Sequence, residues 1–198
     1  MKIIITGGAG MIGSNLAAQL LHLKHEVHII DNLWRGSIQN LRETCSDKFD
    51  LLNIHIADLS SLGDWVKLLN NADCVYHLAD IVGGIGYVFG NEGAIFRKNL
   101  LINSCVTQAC EITGVKRYVY VGTACSFPQE LQTGVDAQPM KEDQQFPANP
   151  ESGYGWSKLM GELDARYLTS SASIPSVTLV LHNVYGSPTD YKSNRAQA

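Results

Sequence analysis

Four short stretches of the chain hold side chains whose types and spacing could do chemistry. In "YGWSK", Tyr154 and Lys158 stand four residues apart, so on a helix they share one face. A buried ammonium beside the phenol is expected to favour the phenolate, which can take a proton from a hydroxyl while hydride leaves the same carbon. In "GTACSFP", Thr123 closes a run that reads as a strand and could hydrogen-bond that hydroxyl. Cys125, two residues on, is either a small buried hydrophobe or the residue that decides which reaction the chain runs. "TGGAGMIG" spaces Gly7, Gly10 and Gly13 by three, with Met11 and Ile12 between them. Backbone amides at a helix start suit a pyrophosphate, and glycine removes the β-carbons that would block it. "EVHIID" ends in Asp31, 18 residues beyond Gly13, where a carboxylate can accept from both ribose hydroxyls and repel a 2′-phosphate. The expected cofactor is therefore NAD rather than NADP. Asn32, Asp58, Leu59, Leu78 and Ala79, at the ends of later apolar runs, complete the candidate cofactor site with Tyr154 and Lys158.

The elements that must hold these residues alternate along the chain. "KIIIT", "EVHIID", "LLNIHIAD", "DCVYHLA", "KRYVYVGT" and "SVTLVLHNVYG" read as strands. "MIGSNLAAQLLHLKH" reads as a helix with Ile12, Leu16, Leu20 and Leu23 on one side, and "LSSLGDWVKLLNN" as another. A long helix is predicted from about Asn91 to Thr113, ended by Gly114 in the left-handed conformation. A further helix is predicted over "SGYGWSKLMGELDARYLTS" with Ser152 as its N-cap. The stretch from Asn32 to about Asp50 reads as a polar loop. Strands apolar on both faces, alternating with helices, predict an α/β fold: a doubly wound parallel sheet, or Rossmann fold. The dinucleotide-binding domain is expected over residues 1–180. Residues 181–198 read as the start of a truncated substrate-binding region, which suggests a fragment of a longer protein.

Composition narrows the class. The chain has 198 residues, 17% of them charged, and a net charge of −4, which disfavours a nucleic-acid partner. Five cysteines without CxxC spacing argue against a metal site or a disulfide framework and favour a cytoplasmic protein. No apolar run is long enough to span a membrane.

The TGxxGxxG loop, Asp31, Thr123 and the YxxxK pair together resemble the extended short-chain dehydrogenase/reductases, mostly NAD-dependent enzymes acting on nucleotide sugars. The resemblance covers the whole chain. "HLADIVGGIGY", "TACSFP" and "LHNVYG" are similar to the GDP-mannose 3,5-epimerases within it and, slightly less, to the GDP-L-fucose synthases. It implies an epimerase of a nucleotide-diphosphate sugar, with a GDP-linked sugar as one reading, acting through transient oxidation at C4. It also implies a homodimer, substrate contacts at Gly83, Gly84 and Asn183, and a role for Asn99 beside the substrate. The cysteine matching Cys125 is an acid/base at a carbon adjacent to C4 in those enzymes. Two departures stand out: Asp80 replaces the usual alanine, and Gln197, which cannot titrate, falls where a second acid/base is usual. A simple 4-epimerase or reductase, and a non-catalytic dinucleotide sensor, remain open beside this reading.

Overall fold

The computed structural model describes residues 1–133 and 138–189. Six strands form one parallel sheet: β1 (Lys2–Thr6), β2 (Glu26–Asp31), β3 (Asn53–Ile56), β4 (Cys74–His77), β5 (Tyr118–Thr123) and β6 (Ser176–Leu181), in the order β3-β2-β1-β4-β5-β6. The helices are α1 (Met11–His22), α2 (Ile38–Cys45), α3 (Ile85–Gly90), α4 (Glu92–Thr113) and α5 (Gly153–Ala172). The strand order reverses between β1 and β4, and a parallel sheet opens a crevice at the carboxyl ends of such neighbours. The doubly wound fold is as the sequence predicts.

Two cores follow from the pleat. Ile3 and Ile5 of β1, with Val27 and Ile29 of β2, face α1 and α2. Ile4 and Ile30 face the other way, into a core built from Ile95, Ile102, Val106 and Ala109 of α4 with Ala165 and Leu168 of α5. α4 ends on Gly114 at φ 64°, and the Ser152 hydroxyl caps α5 by accepting from the Gly155 amide. Both ends are where the sequence places them.

Four local expectations are corrected. The predicted helix after Asp58 shrinks to a 3-10 segment, Asp64–Leu69. Asp58 accepts from the Ser60 amide and Gly63 is extended, so the preceding residues turn instead of coiling, while Trp65 and Leu69 still reach the core. The polar stretch after Asn32 contains α2, capped by Ser37 and anchored by the buried Leu41 and Cys45, with Ile38 packed against the same core. The buried side of α1 is Gly13, Ala17, Leu20 and Leu21, with Leu23 exposed. Leu20 of the expected row is buried and Leu16 packs against the same core, but small residues let that helix sit close to the sheet, so the row gives only part of its inner face. On β6, Val177 and Leu179 are exposed although the strand reads as apolar on both faces.

Candidate active site

The crevice at the strand ends is a cleft of about 1280 Å³. One end is built by the turn between β1 and α1. Gly7 there has φ +68°, and a β-carbon on it would stand 2.7 Å from the Ala79 amide nitrogen; one on Gly13 would stand 2.6 Å from the Gly7 carbonyl. Backbone therefore packs on backbone, and α1 starts at Gly10 with no side-chain cap, presenting its first-turn amides at the cleft. Met11 and Ile12 line the same end.

Asp31 lies beside this turn. Its Oδ2 accepts from the Ala9 amide at 3.0 Å and its Oδ1 from the Leu33 amide at 2.8 Å, so it also ties β2 to the glycine turn. Burial raises its pKa, against the pull of those two amides. Asn32 accepts from the Trp34 amide at 2.9 Å. Asp58 is held by Ser60 and, at 3.0 Å, by Lys98; the Ser60 hydrogen bonds and the ammonium lower its pKa. Leu59, Leu78 and Ala79 line the adjoining wall. A cradle that β-carbons would fill, with a carboxylate beside it, fits a dinucleotide of the NAD kind. Trp34, Arg35 and Ser37 also line this end, and reading the segment as plain loop had hidden them.

At the other end α5 presents Tyr154 and Lys158. The turn Ala124–Ser126 lies against the helix start, where a β-carbon on Gly155 would stand 2.2 Å from the Cys125 carbonyl oxygen. Glycine in "YGWSK" is thus what lets Cys125 and Tyr154 approach. Cys125 is exposed to the cleft. The Thr123 Oγ1 accepts from the Cys125 amide at 3.3 Å, which leaves its own O–H to donate outward.

Lys158 is buried at 3% exposure, with its Nζ 4.6 Å from the centre of the Tyr120 ring and 3.3 Å from Asp80 Oδ2. Burial pulls its pKa down, but Tyr120 and Asp80 outweigh that and the net shift is upward. The Tyr154 hydroxyl donates to the same Asp80 oxygen at 3.3 Å. Here the structure corrects the sequence: burial, then the Asp80 charge, raises the Tyr154 pKa well above its ordinary value, so the tyrosine rests as a phenol.

Beneath the pair runs a buried polar chain. Thr6 meets His77 Nδ1 at 2.7 Å, His77 Nε2 meets Asn103 Oδ1 at 3.0 Å, and Asn103 donates to Tyr120 at 3.3 Å. Tyr120 then donates to the Lys158 carbonyl at 3.3 Å. Since Asn103 Oδ1 can only accept, Nε2 carries the imidazole proton and Thr6 donates to Nδ1.

Gly83, Gly84 and Asn183 line the cleft beyond Ala79. Asn99 does not. It is fully buried, accepting from the Ile81 amide at 2.7 Å and donating to the Ile81 carbonyl at 3.1 Å, so the substrate contact expected of it is replaced by support of the loop after β4. Gln197 lies outside the described residues.

A doubly wound sheet, a glycine turn opening on a cleft, and a tyrosine–lysine pair across it define a dinucleotide-binding domain of the short-chain dehydrogenase/reductase type. The chain belongs to the NAD dependent epimerase/dehydratase family, whose model matches residues 3–197. It is 32% identical over 200 residues to GDP-mannose 3,5-epimerase 1 of Oryza sativa subsp. indica, covering 100% of this chain and 50% of that one. It is 30% identical over 190 residues to UDP-glucose 4-epimerase of Bacillus subtilis, covering 94% and 53%. Among solved structures it is similar to UDP-N-acetylglucosamine 4-epimerase from Methanobrevibacter ruminantium in complex with UDP-N-acetylmuramic acid, with a TM-score of 0.84 and 27% identity over 98% of this chain and 59% of that one. The chain thus spans about half the length of the curated relatives it matches. Among the described residues no helix is long and apolar enough to cross a membrane.

Proposed function

We propose that the chain is the cofactor-binding part of an NAD-dependent epimerase of a nucleotide-diphosphate sugar, acting through transient oxidation at C4. The observation that carries this is the meeting of Thr123, Cys125, Tyr154 and Lys158 at one end of a cleft whose other end is the glycine turn. Bound NAD supplies the hydride acceptor. Tyr154 first releases its own proton to solvent, the Lys158 ammonium stabilising the phenolate, which then takes the proton of the C4 hydroxyl while Thr123 donates to the same oxygen. Oxidation at C4 acidifies the neighbouring C–H bonds, and the Cys125 thiol moves a proton at one of them. Gly83, Gly84 and Asn183 form the sugar side of the cleft in this reading. The rice relative, named for GDP-mannose, supports a GDP-linked substrate.

A second reading, a simple 4-epimerase that leaves Cys125 idle, is favoured by the Bacillus relative, named for UDP-glucose. A homodimer is proposed with either. Exposed Leu101 and Ile112 on α4, with Tyr167 on α5, offer apolar surface for it, and sedimentation tests it.

The deciding experiment is a panel of GDP- and UDP-sugars offered to the full-length protein, followed by product stereochemistry and nicotinamide absorbance. Tyr154→Phe should lose ~10²–10⁴ in rate, as expected for one positioned base, and keep its NAD affinity. A variant that turned over at the wild-type rate would end the oxidative reading.

A further inference from the structure

The proposed reaction gives no task to Asp80, an acid that lines the cleft beside Tyr154 and Lys158. Asp80 sits in the loop after β4, with its side chain 13% exposed. A single oxygen, Oδ2, receives the Tyr154 hydroxyl and faces the Lys158 ammonium, each at 3.3 Å. Its neighbours in the chain are anchored. The Ala79 amide donates to Thr6 Oγ1 at 3.4 Å, and Asn99 holds both backbone groups of Ile81. Residue 80 is therefore fixed at its backbone, and its carboxylate can leave α5 only by rotating its own side chain.

The charges around the pair explain what this contact does. A buried ammonium needs a counter-charge, and Asp80 is the ion-pair partner of Lys158 among the described residues. The groups facing Tyr154 are Asp80 from the β4 loop, Cys125 from the turn after β5, and Tyr120 from β5. Lys158 faces Tyr120 and Asp80, with His77 below it. Nearby, Arg35 donates to the Val82 carbonyl at 3.2 Å. Were Lys158 opposite Tyr154 alone, its charge would favour the phenolate; with the carboxylate between them, that charge is already matched and a second anion meets repulsion.

We infer that Asp80 is a positioning residue that locks the Tyr154–Lys158 pair, holding Tyr154 as a phenol and Lys158 as its counter-ion until ligand hydroxyls displace the carboxylate. The lock makes the base available only in an occupied cleft. Its functional meaning rests on Tyr154 acting as the base in the proposed function, but the lock itself is a property of the protein alone.

The test is a spectrophotometric titration of tyrosinate in the full chain without ligands. The Tyr154 signal is the difference between each form and the same form carrying Tyr154→Phe. In the wild type that signal is expected above the ordinary tyrosine value of about 10. In Asp80→Asn, which keeps shape and removes charge, it should fall by on the order of 1–3 pH units. Asp80→Glu should restore the high value. In the full-length enzyme, the acid limb of the kcat/KM profile, which reports the free enzyme, should move down with Asp80→Asn, while a purely structural residue would lower kcat/KM without moving it. An unchanged Tyr154 signal in Asp80→Asn overturns the inference. So does a wild-type Tyr154 that ionises below about 10, a result that needs no variant at position 80. If the titration behaves as expected and no nucleotide sugar is turned over, the epimerase reading fails and the lock stands. If Tyr154→Phe abolishes turnover and Asp80→Asn changes no titration, the lock fails alone.

Discussion

His77 makes a prediction whose size can be worked from its surroundings. It is 1% exposed in the middle of the sheet, and burial, then the Lys158 charge, lowers its pKa to about 3 from 6.5. Its folded pKa is depressed, so the stability it contributes is fully present above pH 6.5 and is lost as pH falls towards about 3, because only the unfolded chain gains the proton. Each pH unit inside that window removes about 1.4 kcal/mol, so acidification from pH 6.5 to 4.5 should cost ~2–3 kcal/mol from this residue. Against a total of roughly 5–15 kcal/mol for a domain, that is a large part. The assay is urea unfolding at a series of pH values in this window, for wild type and His77→Gln. The variant will be less stable throughout, since Thr6 and Asn103 lose a partner; the difference in slope is the signal. His55, whose pKa burial also lowers, contributes equally to both proteins and cancels. Asp58, whose pKa is lowered from 3.8, acts mainly below the window. Parallel slopes would refute a neutral, proton-excluding His77 and the hydrogen-bond chain built on it.

Three further outcomes are expected. Asp31→Ala should narrow the preference for NAD over NADP, read by calorimetric titration of both; equal wild-type affinities would remove Asp31 from that role. Gly155→Ala should destabilise the chain despite alanine's helix propensity, worth about 1 kcal/mol, because the added carbon meets backbone at 2.2 Å and overpacking typically costs ~1–3 kcal/mol; thermal unfolding measures it, and a raised Tm would contradict the contact. Cys125→Ser in the full-length enzyme should keep oxidation at C4 and slow deuterium uptake from heavy water at the adjacent carbon; uptake at the wild-type rate would favour the simple 4-epimerase.

Legibility in the sequence followed how local each cause is. The strand–helix alternation and the glycine turn could be read directly, because pleat, helix period and turn chemistry act within a few residues. Thr123, Cys125, Tyr154 and Lys158 could be listed for the same reason, although nothing local brings the first two to the last two. That meeting depends on Gly155, which looks like an ordinary helix interruption until the Cys125 carbonyl is seen against it. Where small residues set a packing distance, pattern gave only part of the answer: Gly13 and Ala17 share the buried side of α1 with Leu20 and Leu21, while Leu23 of the expected row is exposed.

The electrostatic state of the site was the least legible part, and the reason is geometric. Four residues of spacing are enough to put an ammonium near Tyr154, and from that alone the phenolate follows. The opposing charge comes from position 80, 74 residues earlier in the chain, delivered because β4 and β5 are neighbours in the sheet and α5 packs against β5. A parallel sheet places the ends of consecutive strands together regardless of chain separation. Every group that tunes Tyr154 from another strand end was therefore invisible to spacing. Burial is the first cause of the upward Tyr154 shift, and the Asp80 charge that the fold delivers adds to it.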